Sequence, residues 1–318
     1  MGRTIELDID VADVTPFPEA RVALTVYLPD EPAPRPAVVF GYAGGSYRKE
    51  YYDVLIEGHG TSYSVARQVA ARGHCFVACD HLGMGASSTP APARELTWEV
   101  MAAANDAAAR EVARRLADGT LARDVGPVEA GLLVGGGHSM GGCILTVTQA
   151  RHRTFDAVAI LGWSAIGTVL PTAGTKPAFR PDRVPRPDGY FDLVKDERME
   201  YVYHRPDVPA DVVAAVRELD SRQPPCVAEG KGGMLGAGVV RDEAASIDVP
   251  VLIACGEFDV VPDSHAEAAA YRRSRDVTVF ELAGAAHLFT FASRRAEFFD
   301  RLVGWAESLA TTGKKGLD

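Results

Sequence analysis

Two periodicities alternate along the chain. Residues 5–11 and 21–28 switch between apolar and polar at nearly every step, the pattern of an exposed antiparallel pair of strands. The runs 37–41, 75–79, 132–134, 157–161 and 249–254 are short and apolar throughout, as strands covered on both faces are, and 277–282 completes the series. Between them the period lengthens to that of a helix. Residues 61–71 form one such segment, and Leu96, Val100, Val112 and Leu116 share a stripe of a long alanine-rich one that Gly119 ends. Another spans 140–150, and a closing helix starts near Ser293, a suitable N-cap, with Phe298, Leu302, Trp305 and Leu309 near one face. Strands alternating with helices predict right-handed βαβ units and an α/β fold, a doubly wound, mostly parallel sheet.

Residues 164–245 break this rhythm. No buried strand is visible there, nine of the chain's twenty prolines fall there, and helical pieces are expected at 191–203 and 210–221. A structureless loop of that length is rare inside a compact domain. The expected organisation is therefore a core of residues 1–163 and 246–318 carrying a mainly helical cap, residues 164–245.

Composition narrows the partners. A net charge of −10 argues against a nucleic-acid partner, because phosphate binding needs a basic face. No apolar run has the length of a membrane span, and the charged start Met1-Gly2-Arg3-Thr4-Ile5-Glu6 has no apolar signal core. Glu6 stands where a myristoylation motif wants Ser or Thr. A cytoplasmic protein, monomer or homodimer, acting on a small molecule is expected. The five cysteines are odd in number and lack a Cys-x-x-Cys pair, so buried free thiols are expected rather than disulfides or zinc.

The chemistry is concentrated in GGGHSMGG, residues 135–142, directly after an apolar strand. Gly137-His138-Ser139-Met140-Gly141 matches G-x-S-x-G, the turn that lifts a nucleophilic serine above a sheet edge at the start of a helix. Only residues without bulk fit two positions either side of that serine. A neutral alcohol needs a base. In a strand–elbow–helix of this kind the partners follow in the order Ser, acid, His, which leaves His204, His265 and His287. His204 lies in the cap and His265 opens a surface helix. His287 follows the last strand through small residues and precedes the closing helix, so it is the expected base. The acid is expected just past the strand 249–255, where Asp259 is better placed than Glu257. The preceding strand ends in Leu161-Gly162-Trp163-Ser164-Ala165, without a carboxylate.

On the elbow, on Gly256-Glu257-Phe258-Asp259 and on His287, the chain resembles a capped member of the α/β-hydrolase superfamily over nearly its whole length. Asp80-His81-Leu82-Gly83-Met84-Gly85-Ala86-Ser87 is similar to the turn after that family's fourth strand, and here turn construction is the expected role. The family often carries His-Gly after its third strand; this chain has Phe40-Gly41-Tyr42-Ala43-Gly44-Gly45-Ser46. The resemblance implies that Ala43 and Met140 give the two oxyanion N–H groups, with Tyr42 competing for the first role or touching substrate. Trp163 and His138 are further expected pocket residues, as are the cap's Tyr190, Phe191, Tyr201, Tyr203 and Met234, with residues 46–52 as a rim. The resemblance implies a serine hydrolase that cleaves a small or medium carboxylic ester or lactone and needs no cofactor or metal. A thioesterase or carbon–carbon bond hydrolase with the same triad is the nearest alternative. A non-catalytic ligand receptor is the alternative of a different class.

Overall fold

Apolar runs that no polar face interrupts lie at the centre of the sheet, and alternating runs lie at its edge. In the computed structural model, which describes residues 2–173, 179–228 and 233–312, the alternating pair is β1 (Thr4–Asp10) and β2 (Arg21–Tyr27). They pair antiparallel, and β2 pairs antiparallel with β4 (Cys75–Cys79). From β4 inward every neighbour is parallel: β3 (Ala37–Tyr42), β5 (Leu132–His138), β6 (Ala157–Leu161), β9 (Val251–Phe258) and β10 (Val277–Ala286). The order β1-β2-β4-β3-β5-β6-β9-β10 is a mostly parallel, doubly wound sheet, and all eight strands stand where the apolar pattern puts them.

Helices cover both faces. On one, α2 (Trp98–Ala117) and α3 (Met140–His152) pack Val112, Cys143 and Leu145 onto Val38, Phe40 and Tyr42. On the other, α1 (Val65–Ala70) and α8 (Arg295–Thr312) pack Val69, Phe298 and Leu302 onto Val39, Val134 and Ala159. The α1 N-cap is Ser64, whose Oγ accepts from Arg67 N at 3.0 Å, so the helix starts four residues later than its apolar period suggests. Ser293 does not cap α8; its hydroxyl donates to the Asp207 carboxylate instead.

β5 outruns its apolar residues. It continues through Gly135-Gly136-Gly137-His138, because the neighbours come too close for side chains. A Cβ on Gly135 would stand 2.6 Å from the Phe155 ring and 2.7 Å from Leu145.

Between β6 and β9 lie a short antiparallel hairpin, β7 (Arg183–Pro185) and β8 (Phe191–Leu193), then α4 (Glu197–Tyr203), α5 (Ala210–Arg217) and α6 (Arg241–Ser246). Phe191 therefore opens a strand rather than the helix expected at 191–203, and α4 begins only after the Asp196 N-cap. The last of these helices, α6, packs on α3 of the core. No helix among the described residues is long and apolar enough to cross a membrane.

Candidate active site

The order β4-β3-β5 means that the chain leaves β3 in opposite directions on its two sides. Ligand crevices of open α/β sheets form at the carboxyl ends of such strands. Ser139 follows β5 at this point, and Tyr42 is paired with Gly137, so the loop after β3 runs beside the serine.

Ser139 has φ 54° and ψ −119°, a left-handed conformation that costs a non-glycine residue about 1–3 kcal/mol. The flanking glycines are required by space. A Cβ on Gly137 would lie 2.3 Å from Gly141 O, and one on Gly141 would lie 2.2 Å from Tyr42 O. The turn is held by Ser139 N donating to Leu161 O at 2.7 Å and Gly142 N donating back to Ser139 O at 2.8 Å.

Three side chains distant in sequence meet here. His287 Nδ1 is 2.6 Å from Asp259 Oδ1, and His287 Nε2 is 2.9 Å from Ser139 Oγ. A carboxylate only accepts, so Nδ1 carries the proton and Nε2 presents its lone pair to the serine hydroxyl. Asp259 also accepts from Gly256 N at 3.0 Å and Val260 N at 2.6 Å, and its side chain is fully buried. His287 is delivered by an irregularity in β10: the register shifts between Leu282 and Ala286, and Gly284 has φ 76°. Glu257, the other carboxylate considered, accepts from Gly284 N at 2.8 Å, so it braces this bulge. His204 and His265 stand elsewhere: His204 caps the end of α4, and His265 lies in α7 (Ser264–Ala268).

His138 lies behind His287. Its Nε2–H donates to His287 O at 2.9 Å, and its ring stacks on Tyr51 at 5.2 Å. Burial, then the charge of His287, pushes its pKa down to about 3, so it stays neutral. His138 is therefore a support for the His287 backbone and does not line the cavity. Tyr42 is likewise buried below the site, stacked on His81, and its carbonyl accepts from Tyr52 OH at 2.8 Å. The expected rim 46–52 is instead largely interior, with Tyr51 and Tyr52 packed into the core. Asp80 holds it down, accepting from Lys49 N at 2.6 Å and Ala86 N at 2.9 Å, which is the turn-building role expected for it.

A cavity of about 690 Å³, counted to its open mouth, stands over Ser139 and His287. The core contributes Gly45, Met140, Trp163 and Val260; the inserted residues Leu170, Phe191, Met199, Tyr203 and Met234 roof it. Of the expected cap residues, Tyr190 points away, donating to Pro90 O at 2.9 Å, and Tyr201 carries the Arg205 guanidinium outside the cavity. Ala43 is buried and does not reach the cavity. Gly44 borders Ser139, where a Cβ on Gly44 would stand 3.2 Å from Ser139 Cβ, and Gly45 lines the cavity.

Two residues had no signal in the sequence. Glu267, on a helix read as superficial, is fully buried and accepts from Ser164 Oγ at 2.6 Å and Ala165 N at 2.7 Å, clamping the start of the insertion. Gln223 lies in the cavity wall. Neither residue has a motif around it, and each acquires its place only through tertiary packing.

The comparisons with known proteins agree with this architecture. A family model described as the alpha/beta hydrolase family matches residues 44–301, so the chain belongs to that family. A sequence search of curated proteins found no match. Among solved structures, the chain is similar to a proline iminopeptidase of Mycobacterium smegmatis: 14% identity over 98% of this chain and 99% of that one, TM-score 0.60. It is also similar to a thermophilic esterase of Thermogutta terrifontis, with 15% identity over 96% and 99% and TM-score 0.59. A thioesterase domain of the curacin biosynthetic pathway gives 14% identity over 95% and 99% and TM-score 0.53. At these identities the likeness is one of fold.

Proposed function

We propose that the protein is a serine hydrolase that cleaves a small or medium carboxylic ester or lactone through an acyl-enzyme on Ser139. The observation that carries this reading is the continuous chain from Ser139 Oγ through His287 to the buried Asp259 carboxylate, at 2.9 and 2.6 Å. Ser139 Oγ attacks the substrate carbonyl as its proton passes to His287 Nε2. Asp259 holds the tautomer and stabilises the imidazolium that forms. The backbone N–H groups of Met140 and of the turn Ala43–Gly45 hold the oxyanion. His287 then protonates the leaving alkoxide, which departs. Water repeats the sequence at the acyl carbon, giving up a proton to His287 and releasing the acid and free Ser139.

The largely apolar roof supports an acyl or alcohol group of modest polarity. Turnover of a panel of p-nitrophenyl esters, lactones and thioesters tests the reading. Ester or lactone turnover is expected to exceed thioester turnover, and Ser139→Ala is expected to lower kcat about a thousandfold or more. Tight ligand binding without any turnover would instead favour a receptor on the same fold.

A further inference from the structure

Gln223 is 3% exposed and lines the cavity that holds Ser139, yet its carboxamide has no hydrogen-bond partner among the described residues. Its polar atoms are not sealed from the cavity, so they are presented to whatever fills it. Its backbone is fully engaged. Gln223 N donates to Phe191 O at 2.9 Å and its O accepts from Phe191 N at 3.0 Å. Pro224 and Pro225 follow, and a residue before proline is confined to extended backbone. The side chain is thus the free part of a rigidly placed residue.

Its position points to the reacting carbonyl rather than to the distant end of a substrate. Gln223 Oε1 comes so close to Gly45 that a Cβ there would stand 2.6 Å away, and the same point lies 3.7 Å from Met140 Cβ. The carboxamide therefore sits between the loop and the helix start whose amides hold the oxyanion in the proposed reaction. The same inserted segment is stitched to that loop: Ser221 N donates to Ser46 O at 3.0 Å and Arg48 N donates to Leu219 O at 3.3 Å. Ser221 Oγ in turn accepts from Gly85 N at 2.8 Å.

We propose that Gln223 is a catalytic residue supplied by the insertion, whose side-chain N–H hydrogen-bonds the substrate carbonyl oxygen and strengthens that bond as the oxyanion forms. This rests on the serine-hydrolase reading. The carboxamide rotates so that its NH₂ faces the ligand. It moves no proton, and the covalent steps are unchanged. Because the bond tightens as charge develops, its loss falls on kcat more than on KM. Loss of one oxyanion donor typically lowers kcat by about 10²–10³.

The test compares wild type, Gln223→Leu, Gln223→Glu and Ser139→Ala on p-nitrophenyl acetate, with thermal melts alongside. The expected result is a kcat at least about thirtyfold lower in Gln223→Leu, with KM within about threefold and an unchanged melt. Gln223→Glu is expected to be nearly inactive at pH 8, where its carboxylate repels the oxyanion. Relative to wild type it recovers as the pH falls, a signature that a purely structural role would not produce. Wild-type kcat in Gln223→Leu, or a loss confined to KM, overturns the inference and leaves the hydrolase reading standing. A wild type as inert as Ser139→Ala overturns both.

Discussion

Asp259 and Glu257 stand two residues apart at the end of one strand, yet their surroundings give them different work. Asp259 is buried with two backbone N–H donors and the imidazole, whereas Glu257 is exposed and braces the β10 bulge. Replacing Asp259 by Asn removes the acceptor that fixes His287 with its proton on Nδ1. The expected fall in kcat is about 10³–10⁴-fold. Glu257→Gln is expected to keep kcat within about threefold. Steady-state kinetics of the two variants separate the roles, and equal losses would contradict the assignment. The meeting of Ser139, Asp259 and His287 was legible in the sequence because each follows directly from a strand end, where local pattern and chain order suffice. Gln223, Glu267 and the Gly44–Gly45 turn were not. Their places depend on tertiary packing, Gln223 against Gly45 and Glu267 against Ser164 and Ala165, and neither periodicity nor spacing carries that.

At the scale of the element, strand–elbow–helix geometry explains why some glycines are indispensable. In Gly137→Ala the new methyl would meet the backbone Gly141 O at 2.3 Å, an atom that cannot swing aside, so the turn must open. The expected cost is about 3 kcal/mol or more, with loss of the ordered Ser139 conformation. Gly304, in the exposed middle of α8, has nothing within 4 Å of its Cβ position. Gly304→Ala is expected to stabilise by about 0.5–1 kcal/mol. Denaturant unfolding of the two variants checks both signs. The strands were well placed by sequence, but their ends were not. β5, β9 and β10 extend beyond their apolar runs, because pairing with neighbours continues through glycines and through the bulge that aims His287. The insertion was recognisable by its prolines and its missing strands, while its hairpin at Arg183–Pro185 and Phe191–Leu193 was too short to show a period.

Across the whole molecule, buried titratable groups set the dependence of stability on pH. Burial pushes His81 down to about 4 and His138 down to about 3, both below the usual histidine value of 6.5. The unfolded chain then binds protons that the folded chain refuses. The stability these neutral rings contribute is present above pH 6.5 and is lost as the pH falls toward their folded values. Asp80 acts in the opposite sense. Burial, partly offset by its backbone N–H donors, raises it from 3.8 to about 6, so its contribution is present below pH 3.8 and is lost as the pH rises through 6. A single histidine changes stability by at most about 1.4 kcal/mol per pH unit. Urea unfolding at pH 4.5, 5.5 and 6.5 is therefore expected to show wild type gaining more with pH than His81→Gln. The difference approaches that amount per unit. An identical slope in the two proteins would mean that His81 takes up its proton as readily in the fold as in the unfolded chain.

The central claim is that Ser139 becomes covalently acylated through His287. The most direct measurement mixes the protein with p-nitrophenyl acetate, quenches it within the first turnovers, and maps the modified peptide by mass spectrometry. The account predicts one acetyl group on the Ser139 peptide, formed with the burst of p-nitrophenol and absent in His287→Ala. Turnover without an adduct, or an adduct on another residue with Ser139 unmodified, would contradict it.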